Sequence, residues 1–327
     1  MTFTSWLQRH YVLSSFAFGL AAAVLVVWWH FDTDFEQARA RVKQGSLLIE
    51  TRCGSIEYQE AGTGVPLLAV HGMGGGYDRG LALGAPLAKQ GVRVIAMSRF
   101  GYLRTPMPID ASPEAQAEAY MCLLDALGIK QAAVMGYSAG APSALQLAIR
   151  HPDRVSALVL LVPIAYSPST KGYARSPVPQ SVETTILADF LLWSGLHLAR
   201  DQVIKFALAT PAELVATASA TERARVDAML DDMLPVLDRA AGSRNDGAIA
   251  ENLSPLPLGS VRAPTLTIST RDDGYGTYAS AQYTASQIAG AKFVGFETGG
   301  HTWIGHDDQV MTEIFKLLKS GHEGEKP

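Results

Sequence analysis

Six short apolar runs constrain this chain more than any other feature: Pro66–Val70, Val92–Met97, Ala132–Met135, Val155–Val162, Thr265–Ile268 and Lys292–Phe296. Apart from the short Thr265–Ile268, none of them alternates apolar and polar residues, as a strand with one wet face would. Strands buried on both faces need no alternation, and they belong to parallel sheets covered by helices. Helical patterns lie between the runs. Pro113–Leu127 carries Ala115, Ala119, Cys122, Leu123 and Ala126 on one stripe and stops at Gly128. Ala139–His151 stops at Pro152, and His306–Lys319 closes the series. Ahead of them, Ser46–Arg52 and Ile56–Glu60 flank Cys53-Gly54-Ser55 as an antiparallel hairpin. The β-α-β rhythm predicts an α/β fold with a doubly wound, mostly parallel sheet.

One stretch breaks that rhythm. Ala165–Ser254 is 90 residues without a strand pattern but with helical ones, over Val182–Ala209 and Thr221–Ala240. In the second, Met229, Leu230, Met233, Leu234 and Leu237 recur at helical spacing. Two readings stay open for this stripe: core packing against the main domain, or the inner face of a helical cap over a pocket. A structureless loop of this length does not suit a compact domain.

Tyr11–Phe31 is a run of 21 residues free of Asp, Glu, Lys and Arg. As a helix it would be about 31 Å long, the thickness of a bilayer's hydrocarbon core. Trp6, Tyr11, Trp28 and Trp29 stand where interfacial aromatics would. A cleaved signal peptide has a shorter apolar stretch, and the small-x-small site Ala38-Arg39-Ala40 lies well beyond this one. A retained single-pass anchor through residues 11–31 is therefore expected. The residues flanking the run place the rest of the chain on the extracytoplasmic side, although a Lys/Arg count over a wider window points the other way. The expected division is 1–45 anchor and linker, 46–164 and 255–320 core, 165–254 cap and 321–327 tail.

Composition excludes other classes. With 48% apolar residues and a net charge of −4, the chain is neither disordered nor a basic, phosphate-tracking nucleic-acid binder. Its two cysteines, Cys53 and Cys122, cannot build a zinc cage or a disulfide framework, and each reads as a small buried hydrophobe.

Gly136-Tyr137-Ser138-Ala139-Gly140 fits G-x-S-x-G. Alone the string carries little. Here it follows an apolar strand and opens a helix, a turn that would hold the serine in a strained conformation with its oxygen above the sheet. The helix N-terminus then offers free N–H groups to a developing oxyanion. A serine needs a base, and His301, after Glu297-Thr298-Gly299-Gly300, lies at the C-terminal end of a parallel strand where ligands bind. His306 is the less favoured base because it begins the last helix. For the carboxylate that orients the imidazole, Asp273 is preferred and Asp272 is the alternative; both follow the strand Thr265–Ile268. His71-Gly72-Met73-Gly74-Gly75-Gly76 ends another strand and could aim a backbone N–H at the same oxyanion. As a dinucleotide loop it fails, because Tyr77 stands where the third glycine belongs.

Together these four motifs resemble the α/β-hydrolase superfamily over about Ser46–Ser320, in the order Ser138, Asp273, His301 expected of that fold. The resemblance implies Ser138 as nucleophile, His301 as general base, Asp273 as its orienting acid, and the amides of Met73 and Ala139 as the oxyanion hole. It also implies a helical cap between elbow and acid, with neither metal nor organic cofactor. Met73 departs from subfamilies that have glycine or an aromatic residue there, which bears on acyl size. Serine at the elbow separates the chain from the superfamily's epoxide hydrolases and haloalkane dehalogenases, which use a carboxylate. The expected activity is hydrolysis of a neutral, fairly apolar carboxylic ester. The alternatives are hydrolysis of carbon–carbon bonds in diketone-like ring-cleavage products, or a non-catalytic binding protein on the same fold. Nothing in the sequence fixes an oligomeric state.

Overall fold

The computed structural model of the chain describes residues 3–170, 172–173 and 185–323. Its strands are β1 (Leu47–Thr51), β2 (Gly54–Ala61), β3 (Val65–Val70), β4 (Val92–Met97), β5 (Ala132–Tyr137), β6 (Val155–Leu161), β7 (Thr265–Thr270) and β8 (Lys292–Phe296). They form one sheet in the order β1-β2-β4-β3-β5-β6-β7-β8. The first two pairings, β1 with β2 and β2 with β4, are antiparallel, and all the others are parallel.

The lack of alternation in the strands has a direct cause. Leu68, Val70, Val134, Leu158 and Leu160 point to one face, where they pack with α3 (Pro113–Ala126) and α4 (Ala141–Arg150). Leu67, Ala69, Ala133, Met135, Val159 and Leu161 point to the other, against α2 (Tyr77–Ala88) and α11 (Asp307–Glu323). Both faces are core, so these positions are all apolar. β3 lies centrally, and the chain leaves it through α2 to one side and later returns through α3 to β5 on the other. This reversal opens a crevice beyond the C-terminal ends of β3 and β5, where ligands bind in such sheets.

Two core helices carry no apolar stripe by which the sequence could announce them. α2 holds Gly80 and Gly84 because it lies close on the sheet: a Cβ at Gly80 would stand 2.8 Å from that of Ala96, and one at Gly84 2.5 Å from a Val94 methyl. α10 (Tyr278–Gln287) buries Ser280 and Thr284 instead of large apolar side chains. At the C-terminus, α11 runs through Glu323 and takes in the first residues of the expected tail; residues 324–327 lie outside the described residues.

Between β6 and β7 the described residues form α5 (Ile186–Leu198), α6 (Arg200–Ala207), α7 (Ala212–Thr217), α8 (Ala220–Asp231) and α9 (Ala240–Glu251). The expected helix Val182–Ala209 is divided at Ala199, and its first residues, 182–184, lie outside the described residues. The expected helix Thr221–Ala240 ends at Asp231, ahead of Pro235, which has no N–H to give a helical turn. Two bidentate ion pairs, the first buried and the second partly buried, fasten this insert to the core. Arg99, after β4, meets Asp246 of α9 at 2.7 and 2.5 Å, and Arg239 meets Asp78 of α2 at 3.0 and 2.6 Å.

Two expectations are corrected. Cys53 and Cys122 are not separate buried hydrophobes but one disulfide, joining the β1–β2 turn to α3 with Cα atoms 6.1 Å apart. The segment expected as linker after the apolar run continues the helix. A single helix, α1, runs from Phe3 to Gln44, and its Phe31, Phe35, Ala38 and Val42 are buried. Spaced by three and four residues, these side chains form one stripe, of which Phe31, Phe35 and Ala38 pack with Phe190 and Trp193 of α5 and with Leu234. Residues 14–30 of α1 are exposed, and among the described residues α1 alone is long and apolar enough to cross a membrane.

Candidate active site

β5 delivers Tyr137 to the crevice, and the chain turns there into a 3-10 turn, Ser138–Gly140, ahead of α4. Ser138 has φ +51°, in the left-handed region that side-chain-bearing residues rarely adopt. The glycines at either side explain why this turn fits. A Cβ at Gly136 would stand 2.8 Å from that of Ala144, and one at Gly140 would stand 2.6 Å from the His71 carbonyl oxygen. The strained serine is buried, at 7% exposure.

Three chain segments meet at this serine. His301 Nε2 lies 2.8 Å from Ser138 Oγ, and His301 Nδ1 lies 2.8 Å from Asp273 Oδ2. Facing a carboxylate, Nδ1 carries the ring proton, which leaves Nε2 to accept from the serine hydroxyl. Asp273 also accepts from Tyr275 N at 2.8 Å and, through Oδ2, from Thr277 Oγ1. Burial pushes the Asp273 carboxyl towards a higher pKa, but His301 and these hydrogen bonds outweigh it and hold it below the usual carboxylate range.

The adjacent Asp272 turns the other way. Its two oxygens accept from Gly300 N at 2.8 Å and Gly299 N at 3.1 Å, so it braces the loop that carries His301. His306 is also away from the serine: it stacks on Phe296 with ring centroids 4.0 Å apart and bonds Thr298 O at 3.0 Å.

His71 is a fully buried clamp. Its Nδ1–H donates to Gly72 O at 2.7 Å, and its Nε2 accepts from Arg99 N at 3.0 Å. Burial, with the nearby Arg99 charge, lowers its pKa well below the ordinary value, so the ring is neutral. The clamp fixes the loop that passes over the elbow: a Cβ at Gly72 would stand 3.1 Å from that of Ser138. Met73 follows directly, its side chain partly exposed, and among the described residues its N–H donates to no other group. Ala139 lies in the first turn after the serine, where N–H groups lack intrahelical partners.

Other contacts at the site had no signal in the sequence. Ala209, in the α6–α7 connection, offers its carbonyl to both Gly274 N at 3.0 Å and His301 N at 3.3 Å. Thr210 Oγ1 accepts from Thr302 N at 3.2 Å. The Tyr275 ring meets His301 edge-on with centroids 4.8 Å apart. Beside Ala139, a cavity of about 10 Å³ between Arg99, Pro142 and Asp246 has room for about one water. Among the described residues no group of three or more His, Cys, Asp or Glu is placed to hold a metal ion.

Comparison with known proteins agrees with this architecture. The alpha/beta hydrolase fold family matches residues 65–304. The 2-hydroxymuconate semialdehyde hydrolase of Pseudomonas putida is 41% identical over 117 residues, which is 35% of this chain and 42% of that protein. The match thus spans well under half the length of that curated relative. Among solved structures, an alpha/beta hydrolase fold protein from Nakamurella multipartita superposes with a TM-score of 0.69 at 30% identity, covering 84% of this chain and 99% of its own. A membrane phospholipase A superposes with a TM-score of 0.61 over 96% of this chain and 99% of its own; at 20% identity this is a likeness of fold alone. The chain belongs to the alpha/beta hydrolase fold family.

Proposed function

We propose that this hydrolase is a membrane-anchored serine hydrolase that cleaves a neutral, fairly apolar carboxylic ester through an acyl-enzyme. The observation that carries the reading is the unbroken line from Ser138 through His301 to Asp273, with 2.8 Å at both junctions. In this reading Nε2 of His301 takes the serine proton as Oγ attacks the ester carbonyl. The N–H groups of Met73 and Ala139 receive the oxyanion, each supplying on the order of 3 kcal/mol of transition-state stabilisation. His301 then gives its proton to the leaving alcohol. A water, deprotonated by the same nitrogen, releases the acid and restores the serine. Asp273 keeps Nδ1 protonated and stabilises the imidazolium. The chemistry draws on these side chains and amides alone.

In the same reading α1 is the anchor and the insert is the cap. The disulfide supports an extracytoplasmic position, since such bonds persist in oxidising compartments.

The Pseudomonas putida relative supports a second reading on the same groups, hydrolysis of a carbon–carbon bond next to a carbonyl in a diketone-like ring-cleavage product. A panel of p-nitrophenyl esters of increasing acyl length, run beside a vinylogous diketone, separates the two. Turnover of esters with none of the diketone supports the first. The reverse replaces it with the second. A folded protein inert towards both leaves a binding role and contradicts the hydrolase mechanism.

A further inference from the structure

The insert has an apolar face turned to solvent. In α5, Ala188, Asp189 and Trp193 are buried, and on the opposite side of the helix Leu187, Leu191 and Leu198 fall on one stripe. Leu191 is 52% and Leu198 86% exposed. On the next helix Phe206 is 68% exposed. α5 has no Lys or Arg, and its one carboxylate, Asp189, is turned inward to accept from Val236 N and Leu237 N. The exposed stripe of α5 is therefore uncharged, and beside it Lys205 lies over the Phe206 ring.

Position along α1 says what covers it. α5 meets α1 at Phe31, whose ring is 5.3 Å from Phe190 and 5.8 Å from Trp193, and at Asp34, which accepts from the Trp193 indole at 2.8 Å. The exposed apolar stretch of α1 ends at Trp28 and Trp29, the residues that suit the bilayer interface. At 1.5 Å per residue, Phe31 to Phe35 lie about 3–9 Å beyond Trp29. The headgroup layer on each side of the hydrocarbon core is about 5–7 Å thick. The anchor thus holds α5, where Phe190 and Trp193 meet it, at headgroup depth.

We propose that the insert rests in the bilayer surface through Leu187, Leu191, Leu198 and Phe206, and that the enzyme draws an amphiphilic ester from the lipid–water interface. This rests on the membrane-anchored hydrolase reading and deepens it. The bilayer face is continuous with the reacting groups. The carbonyls of Phe206 and Ala207 receive the Tyr275 hydroxyl at 3.5 and 3.3 Å, Tyr275 lies against His301, and Ala209 bonds the His301 backbone. A substrate lifted from lipid at Phe206 would have little water to cross.

The full chain, reconstituted in phosphatidylcholine vesicles containing a nitroxide-labelled lipid, tests this. With both native cysteines in the disulfide, a single added thiol can carry an environment-sensitive fluorophore. Leu191→Cys, Leu198→Cys and Phe206→Cys are compared with Val24→Cys in the anchor and with the exposed core residue Ile109→Cys. Lipid quenching of about twofold or more at the three insert sites and at Val24, but not at Ile109, is expected for an interfacial helix. Quenching at Val24 with none at the insert sites overturns the proposal. A concentration-dependent blue shift at Leu191 without lipid quenching also overturns it and assigns the face to a second copy. An unquenched Val24 removes the anchor and the proposal with it.

A second arm uses Leu187→Glu/Leu191→Glu. This variant is expected to lose about tenfold or more of its turnover on a long-chain ester held in vesicles while keeping that on a short soluble ester, since two carboxylates oppose burial at the interface. Equal losses on both contradict the proposal. A wild type inert on both esters sinks the hydrolase reading, and the quenching pattern alone then decides the docking.

Discussion

Nε2 of His301 stands 2.8 Å from Oγ of Ser138, a contact between residues 163 positions apart in the chain. It exists because β5 and β8 end on the same edge of one sheet, and because the insert's Ala209 carbonyl holds the His301 backbone in place. Ser138→Ala and His301→Ala are each expected to lower kcat/KM by about 10⁴-fold or more with little change in fold. Steady-state kinetics beside circular dichroism check this; a His301→Ala enzyme within tenfold of wild type would remove the base from its assigned role.

The two neighbouring aspartates should separate sharply. Asp273→Asn leaves the imidazole without the carboxylate that fixes its tautomer, and a loss of about 10⁴-fold in kcat is expected. Asp272→Asn replaces one of two acceptors that brace Gly299 and Gly300, and a loss of about 10-fold to 100-fold is expected, by misplacement of His301. Matched kcat measurements decide, and the opposite ranking would make Asp272 the acid.

Arg99 and Asp246 join core to insert with both side chains buried. Removing one partner strands the other charge, so Asp246→Leu is expected to cost about 3–5 kcal/mol, whereas Arg99→Met/Asp246→Leu should recover much of that loss. Thermal unfolding of the three proteins in one detergent reads the difference. A double variant as unstable as the single one would contradict it.

His71 gives stability a pH dependence of definite sign. Burial, then the Arg99 charge, holds its folded pKa well below the ordinary 6.5. As pH falls through that ordinary value, the unfolded chain takes up a proton that the folded chain refuses. Stability should therefore decline below pH 6.5, by up to about 1.4 kcal/mol per pH unit from this group, until the folded pKa is reached. His71→Asn should flatten the decline between pH 6.5 and 5 although it lowers stability at neutral pH. An unchanged slope in the variant would mean that His71 is not the source.

Much of the sheet could be read from the chain because strands buried on both faces print nearly continuous apolar runs, as Val92–Met97 does with the same bounds in sequence and structure; Lys292–Phe296 keeps its bounds too, although as the edge strand it is only partly buried. The places of Ser138, Asp273 and His301 were readable for a related reason: each follows such a run and borders a turn. Helices that bury small or polar residues gave no signal, as Gly80 and Gly84 in α2 and Ser280 and Thr284 in α10 demonstrate. The disulfide was hidden because Cys53 and Cys122 are 69 residues apart and meet only after β1 has packed beside α3. The part of α1 beyond the apolar run was legible in principle. Phe31, Phe35, Ala38 and Val42 are spaced as a helical stripe, but Asp32, Asp34 and Glu36 between them read as a polar linker.

The most direct test of the central claim is labelling of the full-length, folded protein with a fluorophosphonate, followed by intact mass spectrometry and peptide mapping. A single adduct on Ser138, missing in Ser138→Ala and formed far more slowly in His301→Ala, is the expected result. A folded protein that stays unlabelled, or one whose adduct lies on another residue, would contradict the assignment of Ser138 as the nucleophile.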